Sequence, residues 1–175
     1  MLPTFQTQRL LLRAVEDSDA NAFFDLFSQE ENLLYITRKK APDLDFTINH
    51  VHNVQNAVSN GIYLYWAMQL PEDPTMIGTV CLWNKNEERS TIDIGFEIHP
   101  KFKGKGLVSE AVQALLKYAF EQLKYKKIRA VTIIQNLPSI QVLTRNGFKF
   151  VSMIPKEEKW QIEEGQDLAL YELEN

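Results

Sequence analysis

The sequence predicts an α/β (α+β) fold: a mixed, mostly antiparallel central sheet of about seven strands, with one βαβ unit and helices on both faces. Three observations point there. Three strand-like runs follow one another, Ile62–Leu70, Met76–Trp83 and Thr91–Ile98, joined by connections short enough for an antiparallel meander. An apolar-faced helical stretch, Leu107–Leu123, then separates Thr91–Ile98 from the β-branched run Ile128–Ile134. Those two strands should therefore be parallel, with a right-handed crossover. Helical patterns also precede the meander, so both faces of the sheet can be covered.

Taken in order, QRLLLRAV (Gln8–Val15) reads as a first strand, with Arg9 and Arg13 among its apolar residues. Asp17 or Ser18 can cap a helix with Ala22, Phe23, Leu26 and Phe27 on its apolar face. A second helix spans about Asp45–Ser59 and stops at Asn60-Gly61. After the meander, the crossover helix carries Leu107, Ala111, Ala114, Leu115 and Tyr118 on one face. A short helix from Pro138 or Ser139 to Asn146 ends at Gly147, and two strands, Phe148–Ile154 and Leu168–Leu173, complete the chain. With no repeat, low-complexity tract or linker, residues 1–175 read as a single domain.

Bulk properties narrow the class. Hydrophobic residues make up 45% and charged residues 24%, the balance of a soluble globular domain. No apolar run approaches the roughly 20 residues that cross a bilayer, and the start lacks the pattern of a signal peptide, so no membrane partner is expected. The single cysteine, Cys81, excludes an internal disulfide framework and fits a cytoplasmic location. A net charge of -4 argues against nucleic-acid binding. His50 and His52, two positions apart on a helix, face different ways and lack a completing cluster, so no metal is expected. In a strand, Cys81 reads as a small core residue.

Against that acidic background KFKGKGLVSEA (Lys101–Ala111) stands out, with three lysines and two glycines between a strand and a helix start. Helix-start N–H groups have no intrahelical acceptor, the helix dipole adds partial positive charge, and glycines admit close approach of an anion. Such a loop suits a phosphate or pyrophosphate, although it is neither a Walker loop nor a GxGxxG fingerprint. A solvated lysine-rich turn is the bland alternative. Directly after the parallel strand comes Asn136-Leu137-Pro138-Ser139, at the crevice where open α/β sheets bind ligands. Asn136 can donate and accept hydrogen bonds and Ser139 offers a hydroxyl, or the two are simply a turn residue and a helix cap.

Together these segments resemble the GNAT superfamily of acetyl-CoA-dependent N-acetyltransferases, in particular its branch of Rim-type ribosomal-protein N-terminal alanine acetyltransferases. TQRLLLR (Thr7–Arg13) is similar to that branch's opening strand, and IGFEIHPKFKGKGLVSEA (Ile94–Ala111) to its CoA pyrophosphate segment. NLPSIQVLTRNGF (Asn136–Phe148) resembles its N-x-x-S…G-F segment, and DLALYEL (Asp167–Leu173) its closing strand. The resemblance covers essentially the whole chain. It implies a GNAT-like sheet and an acetyl-CoA co-substrate, with no metal. The pyrophosphate would meet the backbone of Lys103, Gly104, Lys105, Gly106, Leu107, Val108 and Ser109. The pantetheine arm would pair with Phe96, Glu97 and Ile98, with Asn136 and Ser139 opposite. The superfamily pattern [QR]-x-x-G-x-[GA] falls on Lys103, Gly106 and Val108, so two preferred positions are altered. Leu143 stands where many members carry a tyrosine; the Rim-type branch uses the serine that matches Ser139.

The resemblance also implies the chemistry. An amine acceptor, a protein N-terminus or a small molecule, attacks the thioester. Ser139 donates a hydrogen bond to the departing thiolate, and an N–H of the Phe96–Ile98 strand holds the oxyanion. Counted forward from Ser139 without gaps, the branch's general base falls on Glu158, with Glu157 adjacent. Glu97, acting through water, is the second candidate. Trp160 is the tryptophan expected nearest the acceptor. A small-amine acceptor or a non-catalytic acyl-CoA-binding module are the alternatives, and a homodimer is left open.

Overall fold

In the computed structural model, which describes residues 2–36, 38, 40–154 and 167–175, one eight-stranded sheet runs through the molecule. The strands are β1 (Phe5–Gln6), β2 (Leu11–Arg13), β3 (Leu64–Leu70), β4 (Asp73–Asn86), β5 (Thr91–Ile98), β6 (Lys127–Ile133), β7 (Lys149–Ile154) and β8 (Leu168–Glu174). Their spatial order is β1-β2-β3-β4-β5-β6-β8-β7, and every neighbouring pair is antiparallel except β5–β6. The helices are α1 (Ala20–Phe27), α2 (Glu30–Leu33), α3 (Leu44–Ser59), α4 (Leu107–Lys117) and α5 (Leu137–Arg145).

The eighth strand is β1, which precedes the expected first strand Gln8–Val15, itself shortened to Leu11–Arg13. Thr7 N–H donates to the Leu10 carbonyl (2.9 Å) and Leu10 N–H donates to the Thr7 hydroxyl (3.0 Å), closing a tight turn between β1 and β2. Asp17 and Ser18 do not cap the first helix either. They lie in a 3-10 turn, Asp17–Asp19, and the Asp19 carboxylate accepts from Glu16 N–H (2.9 Å) and from Arg13 (2.8 Å). Helix α3 follows its expected course, capped by Asp43, which accepts from Phe46 N–H. Helix α4 passes at Tyr118–Gln122 into a π-turn where the sequence pattern suggested continuous α-helix.

Alternation along the strands sorts the core. Leu12, Trp66, Met68, Val80, Leu82, Ile92 and Ile94 point to the α4/α5 face and pack with Ala111, Leu115 and Leu143. Ala67 and Met76 join the other face, with Phe23, Leu26 and Phe27 of α1 and Val51 and Val54 of α3. Helices therefore cover both faces.

The parallel pair is short. Thr91–Lys127, Ile92–Ile128 and Asp93–Arg129 are matched, after which β6 follows β8 while β5 stays with β4 as far as Ile98. At the apex of this fork Arg129 Nε lies 2.7 Å from the buried Asp93 carboxylate, which also accepts from Asn84 Nδ2 (2.8 Å).

Candidate active site

Because β6 departs after Arg129, the edge of β5 beyond Asp93 has no strand beside it among the described residues. Direction along that edge follows from one bond. His99 N–H donates to Ile77 of β4 (2.9 Å), and backbone groups alternate in direction along a strand, so those of Phe96 and Ile98 face away from β4. The Ile98 carbonyl on that side is taken by Asn32 Nδ2 (3.1 Å). The backbone of Phe96 lines an open crevice. Its other side is held by a close approach at Gly78, where a Cβ would collide with the Glu97 carbonyl and meet Met68 Cε at 2.7 Å.

An inner part of the crevice, about 200 Å³, lies in the fork between Ile94–Phe96 and Ala130–Ile133, with Leu143 as a wall. An outer part, about 500 Å³, continues to the glycine loop. Tyr35, Ile36, Phe96, Asn136 and Ser139 line both. The outer part brings together Phe96, Glu97, Ile98, Lys103, Gly104, Gly106, Leu107, Val108, Ser109, Asn136 and Ser139. Lys105 does not line it: its ammonium stands 5.2 Å from the Phe102 ring centroid, and its carbonyl accepts from Arg9 (2.8 Å). Pro138, Gln141, Val142 and Arg145 of α5 also line the outer part, a role that their sequence pattern does not signal.

In the loop, Gly104 and Gly106 both take left-handed backbone angles, φ +74° and +77°, which explains glycine at these two positions. Gly106 is the N-cap of α4, so the amides of Leu107, Val108 and Ser109 occupy the turn that lacks intrahelical acceptors. Val108, where the family pattern prefers a small residue, keeps its N–H there and is 8% exposed. Across the crevice Asn136, not Ser139, caps its helix: Asn136 Oδ1 accepts from Ser139 N–H (3.2 Å). Among the described residues the Ser139 hydroxyl has no hydrogen-bond partner, so it can donate into the crevice.

Side chains gathered from distant segments stand beside this edge of β5, and Asn32 and Glu97 among them line the outer crevice. Glu97 accepts two hydrogen bonds from Arg38 (2.8 and 3.0 Å) and one from Asn32 (3.1 Å). The Arg38 guanidinium carbon also lies 3.5 Å from the Phe27 ring centroid, a cation–π contact. His50 packs against Phe23 and Phe27, each at 4.9 Å between centroids. Burial, and then the charge of Arg38, lower its pKa to about 4, so it is neutral and apolar in role. Burial pushes the Cys81 thiol up to about 12, which removes it as a nucleophile near neutral pH. Trp66 is fully buried and donates to the Pro3 carbonyl (2.6 Å). Glu157, Glu158 and Trp160 lie outside the described residues. Among the described residues no cluster of three or more His, Cys, Asp or Glu side chains could hold a metal ion, and no helix is long and apolar enough to cross a membrane.

With the fork, the open strand edge and the glycine loop in place, comparison with known proteins is decisive. The family model for the acetyltransferase (GNAT) domain matches residues 9–149. The chain belongs to the GNAT acetyltransferase family. The uncharacterized N-acetyltransferase YoaA of Bacillus subtilis strain 168 is 27% identical over 149 residues, which span 85% of this chain and 84% of that protein. A solved GNAT-family acetyltransferase from Bacillus anthracis superposes with a TM-score of 0.82 at 26% identity, covering 98% of each chain. The RimL ribosomal L7/L12 alpha-N-protein acetyltransferase, solved in complex with coenzyme A, has a TM-score of 0.82 at 20% identity, covering 99% of this chain and 97% of its own. At that identity it shares the fold. This GNAT protein is an N-acetyltransferase.

Proposed function

We propose that this GNAT enzyme transfers the acetyl group of acetyl-CoA to a primary amine, and that the acceptor is a protein N-terminal α-amine. One observation carries the donor assignment: the open edge of β5 at Phe96 runs from the fork to a loop of left-handed glycines at a helix start. That arrangement offers an amide-bearing arm something to pair with and a pyrophosphate the N–H groups of the first turn of α4, although Lys103 N–H is already donated to the Pro100 carbonyl (3.1 Å). Acetyl-CoA supplies the activated acyl group and a thiolate leaving group. The chain's residues bind, orient and move protons around it.

Phe96 N–H, directed into the crevice, is assigned to the oxyanion. The amine nitrogen bonds to the acyl carbon, the carbon–sulfur bond breaks, and the amine proton passes to a carboxylate. Ser139 donates a hydrogen bond to the sulfur. A CoA thiol, with a pKa comparable to the roughly 8.5 of cysteine, leaves without full protonation. Asn136 keeps its amide NH₂ for the arm while its oxygen caps α5. Glu97 has its oxygens occupied by Arg38 and Asn32, which favours Glu158 as the base, with Glu157 one residue away. An α-amine, with a pKa of roughly 7.7–8.0, asks less of that base than a lysine near 10.4.

The test is CoA release from acetyl-CoA across N-terminal peptides, polyamines, amino sugars and lysine peptides. Selective turnover on an N-terminal peptide supports the reading. Turnover confined to a small amine replaces the acceptor class, and binding of acetyl-CoA with no turnover on any amine would overturn the enzymatic assignment.

A further inference from the structure

A loop with two left-handed glycines has wide conformational freedom, and something must hold its amides in one arrangement. Inside the loop little does so. A Cβ built on Gly104 would meet nothing within 4 Å, and one on Gly106 would meet only the Arg9 Nη2 at 3.5 Å. The Lys103–Glu31 pair (2.9 Å) is partly exposed and contributes little rigidity.

The firmer attachment comes from the other end of the chain. Both oxygens of Glu110, in the first turn of α4, are engaged by the β1–β2 turn. Oε1 accepts from the Thr7 hydroxyl (2.6 Å) and Arg9 N–H (2.7 Å), and Oε2 accepts from Arg9 Nε (2.7 Å). Held this way, Arg9 reaches over the loop and its Nη1 donates to the Lys105 carbonyl (2.8 Å). The chain Thr7–Glu110–Arg9–Lys105 thus ties the loop to a helix and a strand pair that are both packed on the core. Burial raises the Glu110 pKa, but the bonds from Thr7 and Arg9 and the charge of Arg9 outweigh it, so the carboxyl sits below its ordinary value and stays ionised near neutrality.

We propose that Glu110, acting through Arg9, is a positioning residue that fixes the pyrophosphate-binding loop in its receptive shape without touching acetyl-CoA. The proposal rests on the assignment of the loop to the CoA pyrophosphate. It predicts a selective defect. Arg9→Lys keeps the positive charge but cannot form the fork that joins Glu110 to the Lys105 carbonyl, so charge alone should not rescue binding.

Calorimetric titration of CoA and of pantetheine, which lacks the pyrophosphate and nucleotide, tests it in wild type, Glu110→Gln, Arg9→Lys and the milder Thr7→Val. Expected is a loss of CoA affinity on the order of tenfold in Glu110→Gln and Arg9→Lys, less in Thr7→Val, with pantetheine affinity unchanged. Wild-type CoA affinity in Arg9→Lys and Glu110→Gln, or equal losses for both ligands, would overturn the positioning role. Failure of wild type to bind CoA more tightly than pantetheine would overturn the loop assignment on which it rests.

Discussion

One part of the site around β5 is made of main chain; another is made of side chains gathered from distant segments. The main-chain part uses the Phe96 backbone, a helix start and a loop whose two left-handed turns call for glycine. The side-chain part uses Arg38, Glu97, Asn32 and His50, whose partners lie tens of residues away. The first part suits a ligand common to a whole family. The second depends on which side chains the distant segments bring to β5.

That contrast can be broken at its most side-chain-dependent point. Arg38→Ala leaves the 11%-exposed Glu97 carboxylate without its cation, and removing one partner of such a pair costs about 3 kcal/mol. Urea unfolding should show that loss, while CoA affinity changes little. A CoA defect as large as the stability defect would mean that the two parts are not separable.

His50 gives a smaller, pH-dependent effect. Its folded pKa of about 4 lies below the ordinary 6.5, so the unfolded chain takes up the proton first as pH falls. The contribution of neutral His50 is complete above pH 6.5 and declines through the window down to about 4, with a loss of roughly 2 kcal/mol by pH 5. His50→Gln should flatten that part of the stability profile. Identical slopes for the two proteins between pH 6.5 and 5 would contradict the burial argument.

Ser139→Ala should lower kcat roughly tenfold, as expected for one hydrogen bond to a developing thiolate, with acetyl-CoA affinity retained. Unchanged turnover would remove Ser139 from the chemistry. The mildest substitution is Gly104→Ala, which forces a side chain into a left-handed backbone at a cost of about 1 kcal/mol, read as a small rise in the CoA Kd.

The same contrast explains how much could be read from the sequence. The parallel pair, the glycine loop and the Asn136–Ser139 segment were legible because each depends on local order: strand, loop, helix, strand. The clamp of Thr7 and Arg9 on Glu110 was not, since it joins positions about a hundred residues apart and its formation bends the first strand into a turn. The Arg38–Glu97 pair was hidden for the same reason: Glu97 read as a second candidate base because its partner is 59 residues upstream. Cap assignment failed at two helices because the chain offered several polar residues in a row: Asn136 caps α5 by accepting from Ser139 N–H, whereas Asp19, at the start of α1, turns its carboxylate back to Glu16 N–H and Arg13.

The most direct test of the donor site is backbone amide hydrogen exchange with and without acetyl-CoA. The account predicts new protection at Phe96 and across Gly104–Ser109, with the β3–β4 ladder unchanged. Protection elsewhere, with Phe96 and the glycine loop exchanging as before, would contradict it.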